Sequence, residues 1–168
     1  FSAEPNTAFS FDLCIRTVPP APTNVRCTTA QLLPVNPALI CDQVLHGTTA
    51  GLPGELAYGT GCNAWTQLHP VYEMWYAFTA LTPNHLIKAS HVVPVIGTGN
   101  WYFGIAVVES TDCGTFKSLG CTSGENELEL KGLTPGQTYY VVVSNVENGA
   151  AHEFDLCVTT YPVPDNDI

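Results

Sequence analysis

Two stretches of this chain, 143 residues apart, are nearly the same. Phe11–Thr17 reads FDLCIRT and Phe154–Thr160 reads FDLCVTT, five identities in seven positions with a cysteine among them. The match extends upstream, pairing Glu4 with Glu147 and Ala8 with Ala151, and downstream, after a one-residue slip, to Pro22 and Asn24 against Pro164 and Asn166. Self-similarity at a fixed offset marks a chain built from successive structural units. Residues 21–161 then form one unit. Residues 1–20 hold a strand and a Pro-rich linker, either a donor strand or the tail of a preceding repeat, and residues 162–168 form a C-terminal linker. Phe9, Phe11, Leu13 and Ile15 alternate along the first copy, which places four apolar side chains on one face of an extended segment.

The rest of the unit is written in the period of β-structure. Short β-branched and aromatic runs between Gly, Pro and Asn clusters predict strands over Gln43–Thr48, Tyr72–Thr79, His85–Val92, Tyr102–Glu109, Glu127–Lys131, Thr138–Ser144 and Glu153–Thr160. The best amphipathic helical candidate, Thr28–Leu33, is stopped by Pro34 and Pro37. In Tyr72–Ala80, Tyr72, Met74, Tyr76 and Phe78 share one face, and Trp75 on the other predicts that both faces are covered. Thr134-Pro135-Gly136-Gln137 fits a type II turn, with Gly where φ > 0 is needed, and is expected to close a hairpin. The expected fold is all-β: an antiparallel, disulfide-stapled β-sandwich of Ig-like or jelly-roll-like type with an N-terminal extension strand.

Seven cysteines stand at 14, 27, 41, 62, 113, 121 and 157. They form no C-x-x-C and have no His at zinc-finger spacing, so disulfides in an oxidising compartment are the reading, and no metal or cofactor is called for. Cys113 and Cys121 flank a short Gly-containing loop and are expected to pair. Cys41–Cys62 is the next choice, as a clamp on a Gly-rich connection. Cys14, Cys27 and Cys157 remain, of which only two can pair: Cys27–Cys157 would close the unit within itself, whereas Cys14–Cys27 would staple the linker Thr17–Arg26. Fifteen Asp+Glu against five Lys+Arg give a formal charge of −10, which argues against nucleic acid and anionic lipid as partners. No apolar run reaches transmembrane length and no signal peptide is present, so the chain reads as mature or excised.

With these motifs in place, a resemblance emerges. EMWYAFTA (Glu73–Ala80), LKGLTPGQTYYVVV (Leu130–Val143) and PAPTNVRCTTA (Pro20–Ala30) resemble the W-Y-x-F-T-A, L-T-P-G-x-T-Y-Y and Cys-containing lead-in motifs of secreted six-cysteine β-sandwich repeats in Bacteroidota surface proteins. Thr23-Asn24-Val25-Arg26 departs from their lead-in, lacking its Asn-Asp pair. The resemblance implies tandem sandwich modules of adhesins, fibrous surface proteins and secreted hydrolases, with no catalytic residues of their own.

Catalytic motifs are absent from the sequence: it has no G-x-S-x-G, H-E-x-x-H or P-loop, and a non-enzymatic role is expected. The five histidines, at 46, 69, 85, 91 and 152, have no carboxylate or thiolate at motif spacing and read as buried or loop-satisfied. Glu125, Glu127 and Glu129 share a strand face that reads as solvated rather than cation-binding. Asp112 reads as a turn cap, with calcium ligation the less favoured alternative. Trp65 and Trp101, beside Gly/Asn loops, are candidates for stacking on polysaccharide. The sharper expectation is assembly. A strand with Phe9, Phe11, Leu13 and Ile15, held off by Val18-Pro19-Pro20-Ala21-Pro22, suits head-to-tail β-strand addition between copies of the chain in an extracellular fibre or surface array. A carbohydrate-binding or adhesive module of a larger secreted or cell-surface protein is the alternative.

Overall fold

In the computed structural model, residues 13, 15, 20–52, 55–56, 70–96, 103–145 and 151–161 are described. Eleven strands occur among them: β1 Gln31–Leu32, β2 Val35–Asn36, β3 Leu45–Thr48, β4 Glu55–Leu56, β5 Pro70–Thr79, β6 His85–Ile96, β7 Phe103–Glu109, β8 Lys117–Ser123, β9 Glu127–Leu130, β10 Thr138–Asn145 and β11 Ala151–Thr160. They build two packed sheets. The first has the order β1-β5-β10-β7-β8, with β4 also on β5. The second has the order β2-β11-β6-β9, with β3 also on β11. Taken without the three two-residue strands, the orders β5-β10-β7-β8 and β3-β11-β6-β9 are those of a jelly roll, in which the first and last strands are neighbours.

The sandwich is not wholly antiparallel, as the sequence suggested. β1 runs parallel to β5 and β2 parallel to β11. Both strands belong to one segment that changes sheets at Leu33-Pro34. The Leu33 N–H still bonds to the Ala77 carbonyl at 2.8 Å, but Pro34 has no N–H to continue that ladder. Asn36 then anchors the segment on the second sheet. Its buried amide donates to the Val158 carbonyl at 3.1 Å and accepts from the Gln43 N–H at 2.8 Å. The same segment overturns the helical reading of Thr28–Leu33. Only Cys27–Thr29 turns, as a 3-10 helix, and Gln31 is already in strand.

Between the sheets, alternation decides which side chains are buried. Met74, Tyr76 and Phe78 of β5, Ile105 and Val107 of β7, and Tyr139, Val141 and Val143 of β10 face Ile87 of β6, Leu128 and Leu130 of β9, and Phe154, Leu156 and Val158 of β11. Phe154 lies at the centre, with ring centroids 5.4 Å from Phe103 and 6.5 Å from Tyr76. Each side chain buried to this degree contributes about 1.5–3 kcal/mol. Gly47 of β3 passes directly over this ring, and a Cβ built there would lie 2.5 Å from Phe154 and from the Tyr76 hydroxyl.

The outer face of the first sheet is covered too, as Trp75 suggested. Trp75 is fully buried beneath Phe116, at 5.1 Å between centroids, and beneath the Cys27–Cys113 disulfide. Asn24 closes the β5 edge beside it, its carbonyl accepting from the Trp75 N–H at 2.7 Å and its amide donating to the Trp75 carbonyl at 3.0 Å.

The turn at Thr134–Gln137 forms as read, with Gly136 at φ 83° and the Gln137 N–H bonded to the Thr134 carbonyl at 3.1 Å. It does not close a hairpin. β9 pairs with β6 in one sheet and β10 with β5 and β7 in the other, so the turn is an arch between sheets. Tyr139 braces that arch, its hydroxyl accepting from the Thr134 N–H at 2.9 Å, the tyrosine-corner device of Greek-key sandwiches. Tyr139→Phe is expected to lower the unfolding free energy by about 1 kcal/mol in urea titration. Gly47→Ala should cost about 1–3 kcal/mol by the same measurement, because the buried rings around it have no free volume to give.

Candidate functional site

The second copy of the duplicated sequence, Phe154–Thr160, is most of β11. Along β11, Phe154, Leu156 and Val158 are each at 0% exposure in the core. The intervening Cys157 is bonded to Cys41 across 116 residues, with the two Cα atoms 5.9 Å apart. β6 pairs with β11 along one edge, and β3 and β2 share the other. In the first copy, Leu13 and Ile15, the counterparts of Leu156 and Val158, are 77% and 88% exposed. Phe9, Phe11 and Cys14 lie outside the described residues, as do Trp65, Trp101, Cys62 and His69.

The cysteine pairing differs from the local expectation. Cys113 bonds to Cys27 rather than Cys121, and Cys41 bonds to Cys157 rather than Cys62. Cys27–Cys157 and Cys14–Cys27 are both thereby excluded, and Cys121 is disulfide-bonded to a cysteine outside the described residues. The reason for the difference is topological. Cys113 follows β7, whose outer face carries the Trp75 cluster that Cys27 covers. Cys121 lies within β8, opposite Ala106, and packs against the same cluster from that strand. Closing loops of 86 and 116 residues is worth about 4–5 kcal/mol each in the chain-entropy description. These bonds indicate an oxidising, extracellular environment. No helix among the described residues is long and apolar enough to cross a membrane.

β11 ends at a distinctive pole of the sandwich. Pro37, Leu39, Ile40, Thr82, Thr160 and Tyr161 line a groove of about 530 Å³. Leu39 and Ile40 stand 59% and 65% exposed in it, and Leu81, next in sequence to Thr82, is 53% exposed. Leu81 also borders a second groove of about 420 Å³, lined in part by Leu32, Pro34 and Thr79. Buried His85 holds this pole in shape. Its Nδ1 faces the Thr159 carbonyl at 3.1 Å, and its Nε2 accepts from the Leu81 and Thr82 N–H groups at 3.2 and 3.3 Å. That arrangement defines a neutral imidazole with the proton on Nδ1. Burial pushes the His85 pKa below its ordinary value, against the upward pull of the Thr159 carbonyl.

A second cluster lies on the outer face of the second sheet. The Asp155 carboxylate meets His46 Nδ1 at 3.1 Å and His91 Nδ1 at 2.9 Å. The sequence showed no carboxylate partner for either histidine because the partners are 109 and 64 residues away. His91 reaches Asp155 from a β-bulge, at φ 50°, where β6 slips register between Glu153 and Asp155. The bonds from His46 and then His91 hold the Asp155 carboxyl below its ordinary range. Both imidazoles are largely exposed, at 65% and 82% of the side chain, and no described group of three or more His, Cys, Asp or Glu residues is placed to hold a metal.

The other sequence-derived candidates are structural. Asp112 caps its loop, accepting from the Gly114 and Thr115 N–H groups at 2.8 and 3.0 Å. Glu127 and Glu129 project to solvent from β9 and pair with Lys88 and Lys131.

No family model, curated protein or solved structure matches this chain.

His85 makes the pole sensitive to acid. Its lowered folded-state pKa means that stability is full above the unfolded value of about 6.5 and falls as pH drops through the folded one. Thermal unfolding of the natural chain should therefore weaken below about pH 6.5. In His85→Gln, whose amide can keep one donor and one acceptor, that component should vanish and leave the carboxylate limb below about pH 4.5.

Proposed function

We propose that this chain is a structural module of an extracellular fibre or surface array whose sandwich units are joined head to tail, with Phe11–Thr17 serving as the β11 strand of the adjoining unit. The observation that carries this reading is a contrast within one sequence. The residues that β11 buries completely at Leu156 and Val158 have counterparts in Leu13 and Ile15 that stand largely in solvent. Two exposed aliphatic side chains leave about 1.5–3 kcal/mol each of burial unrealised. A second sandwich missing its last strand would take them up by β-strand addition.

The position is already filled in this sandwich by its own β11, with neighbours on both edges. The copy therefore belongs to another unit, and the contact between units runs from head to tail rather than closing on itself. Cys14, the counterpart of Cys157, would then bond to the Cys41 counterpart of that unit. Secretion, a fibrous or adhesive role and kinship with the six-cysteine Bacteroidota repeats are parts of the same proposal, supported by the disulfides and the motifs quoted above.

Electron microscopy of the natively purified, unreduced protein, together with disulfide mapping, tests it. Strings of globules with an axial spacing of about 35–40 Å, one sandwich of strands 10–12 residues long at roughly 3.3 Å per residue, are expected. Cys14 should be recovered bonded to the counterpart of Cys41 in the adjoining unit. Separate globules, with Cys14 bonded inside its own sandwich, would overturn the proposal.

A further inference from the structure

We infer that the β11 slot of this sandwich is closed to the first copy of the repeat, and that the position of Thr159 is where the two copies are told apart. The exclusion stands on this sandwich alone; that it reserves Phe11–Thr17 for an adjoining unit rests on the head-to-tail reading.

A copy so close to β11 is a competitor for the place β11 holds, between β6 on one side and β3 and β2 on the other. At the offset of the repeat, Phe11 and Leu13 match the wholly buried Phe154 and Leu156. Asp12 matches Asp155, which meets His46 and His91. Cys14 matches Cys157, which is bonded to Cys41. These four positions favour neither copy. A slot that took either of two tethered sequences would exchange them within and between chains, and the sandwich would lose a unique native state.

The two positions that differ both count against the first copy. Ile15 stands for Val158, which is at 0% exposure among the core side chains, so it brings an extra methylene into a packed interior. Arg16 stands for Thr159, and here the difference is chemical. Thr159 is 1% exposed, lies between Asn36 of β2 and Leu86 of β6, and donates its hydroxyl to the Leu86 carbonyl at 3.5 Å. Asn36 is buried to the same degree, with its amide committed to Val158 and Gln43. A guanidinium in this place has to leave water and find an anion. Along the pairing from Thr159 through Leu86 the next residue is Glu129 of β9. Its carboxylate is already met by Lys131 at 3.4 Å and by the Tyr161 hydroxyl.

Arg16 is thus the repulsive part of a specific pairing, the part that rejects the wrong slot. It keeps the first copy out of a place whose other groups would accept it. A unit that does take the first copy presents an acidic group or open solvent at the position of Thr159.

The test refolds the full chain from its reduced, denatured form to equilibrium in a glutathione redox buffer, alkylates it, and reads the partner of Cys41 by mass spectrometry. In the natural chain Cys41 should be bonded to Cys157, with Cys14 from the same or another chain below roughly one part in a hundred. Arg16→Thr should raise the Cys14 share about tenfold or more, whereas Arg16→Lys, which keeps the charge, should leave it as it was. Exchanging the two residues, Arg16→Thr together with Thr159→Arg, should make Cys14 the main partner. Cys27–Cys113, over the first sheet, reports that each variant has folded. A natural chain that divides Cys41 between the two cysteines, or an Arg16→Thr chain that leaves the division unchanged, would overturn the exclusion. The head-to-tail reading is decided separately on unreduced native material, where it fails if Cys14 is bonded within its own sandwich, whatever the refolded variants do.

Discussion

One strand holds the second sheet together. β11 pairs along its whole length with β6, shares its other edge between β3 and β2, and sends Phe154 into the middle of the core. Its outward Cys157 ties down the segment that has just crossed between sheets. A sheet assembled around a central strand from the far end of the chain is a non-local structure, and every contact β11 makes closes a long loop. Removing β11 would leave β2 and β3 with no neighbour and the core with an open slot. This makes a second copy of the same sequence, with its Leu13 and Ile15 exposed, physically consequential.

The first sheet depends on a different device. Its outer face carries Trp75, too large and apolar to leave in water, and no helix among the described residues covers it. The lead-in segment and the Ser110–Phe116 loop take that role, locked over the indole by Cys27–Cys113. Asn24 extends the same cover to the edge of β5, where β1 and β4 also pair. Edge and face are thus protected by short pieces of chain, which blunts a strand that would otherwise invite uncontrolled pairing. The lead-in is accordingly the lid of the Trp75 face and the cover of the adjoining β5 edge at once.

Much of the fold was legible in the sequence because its signals are local. All seven strands read from period-two alternation and punctuation are present, with ends shifted by a few residues. The four strands that were missed have weak local signals. β1, β2 and β4 are two residues long, and β8 is an edge strand of Lys, Ser, Gly and Thr in which Gly120 leaves room for Leu128 and Leu130. The Thr134–Gln137 turn was right in type and wrong in consequence, since a turn's φ angles do not say whether the strands it joins share a sheet.

What the sequence determined by itself was the class of fold, the likeness of Phe11–Thr17 to Phe154–Thr160, the two-sided burial of the Trp75 strand and the oxidising setting its cysteines indicate. These follow from composition, periodicity and self-similarity, which act over a few residues or compare like with like. Only the tertiary structure decided the jelly-roll order, the Cys27–Cys113 and Cys41–Cys157 pairings, the His46–Asp155–His91 contact and the apolar pole around His85. Each of these joins residues tens to more than a hundred positions apart, and which of them meet is set by how the two sheets wind around a common core rather than by spacing along the chain.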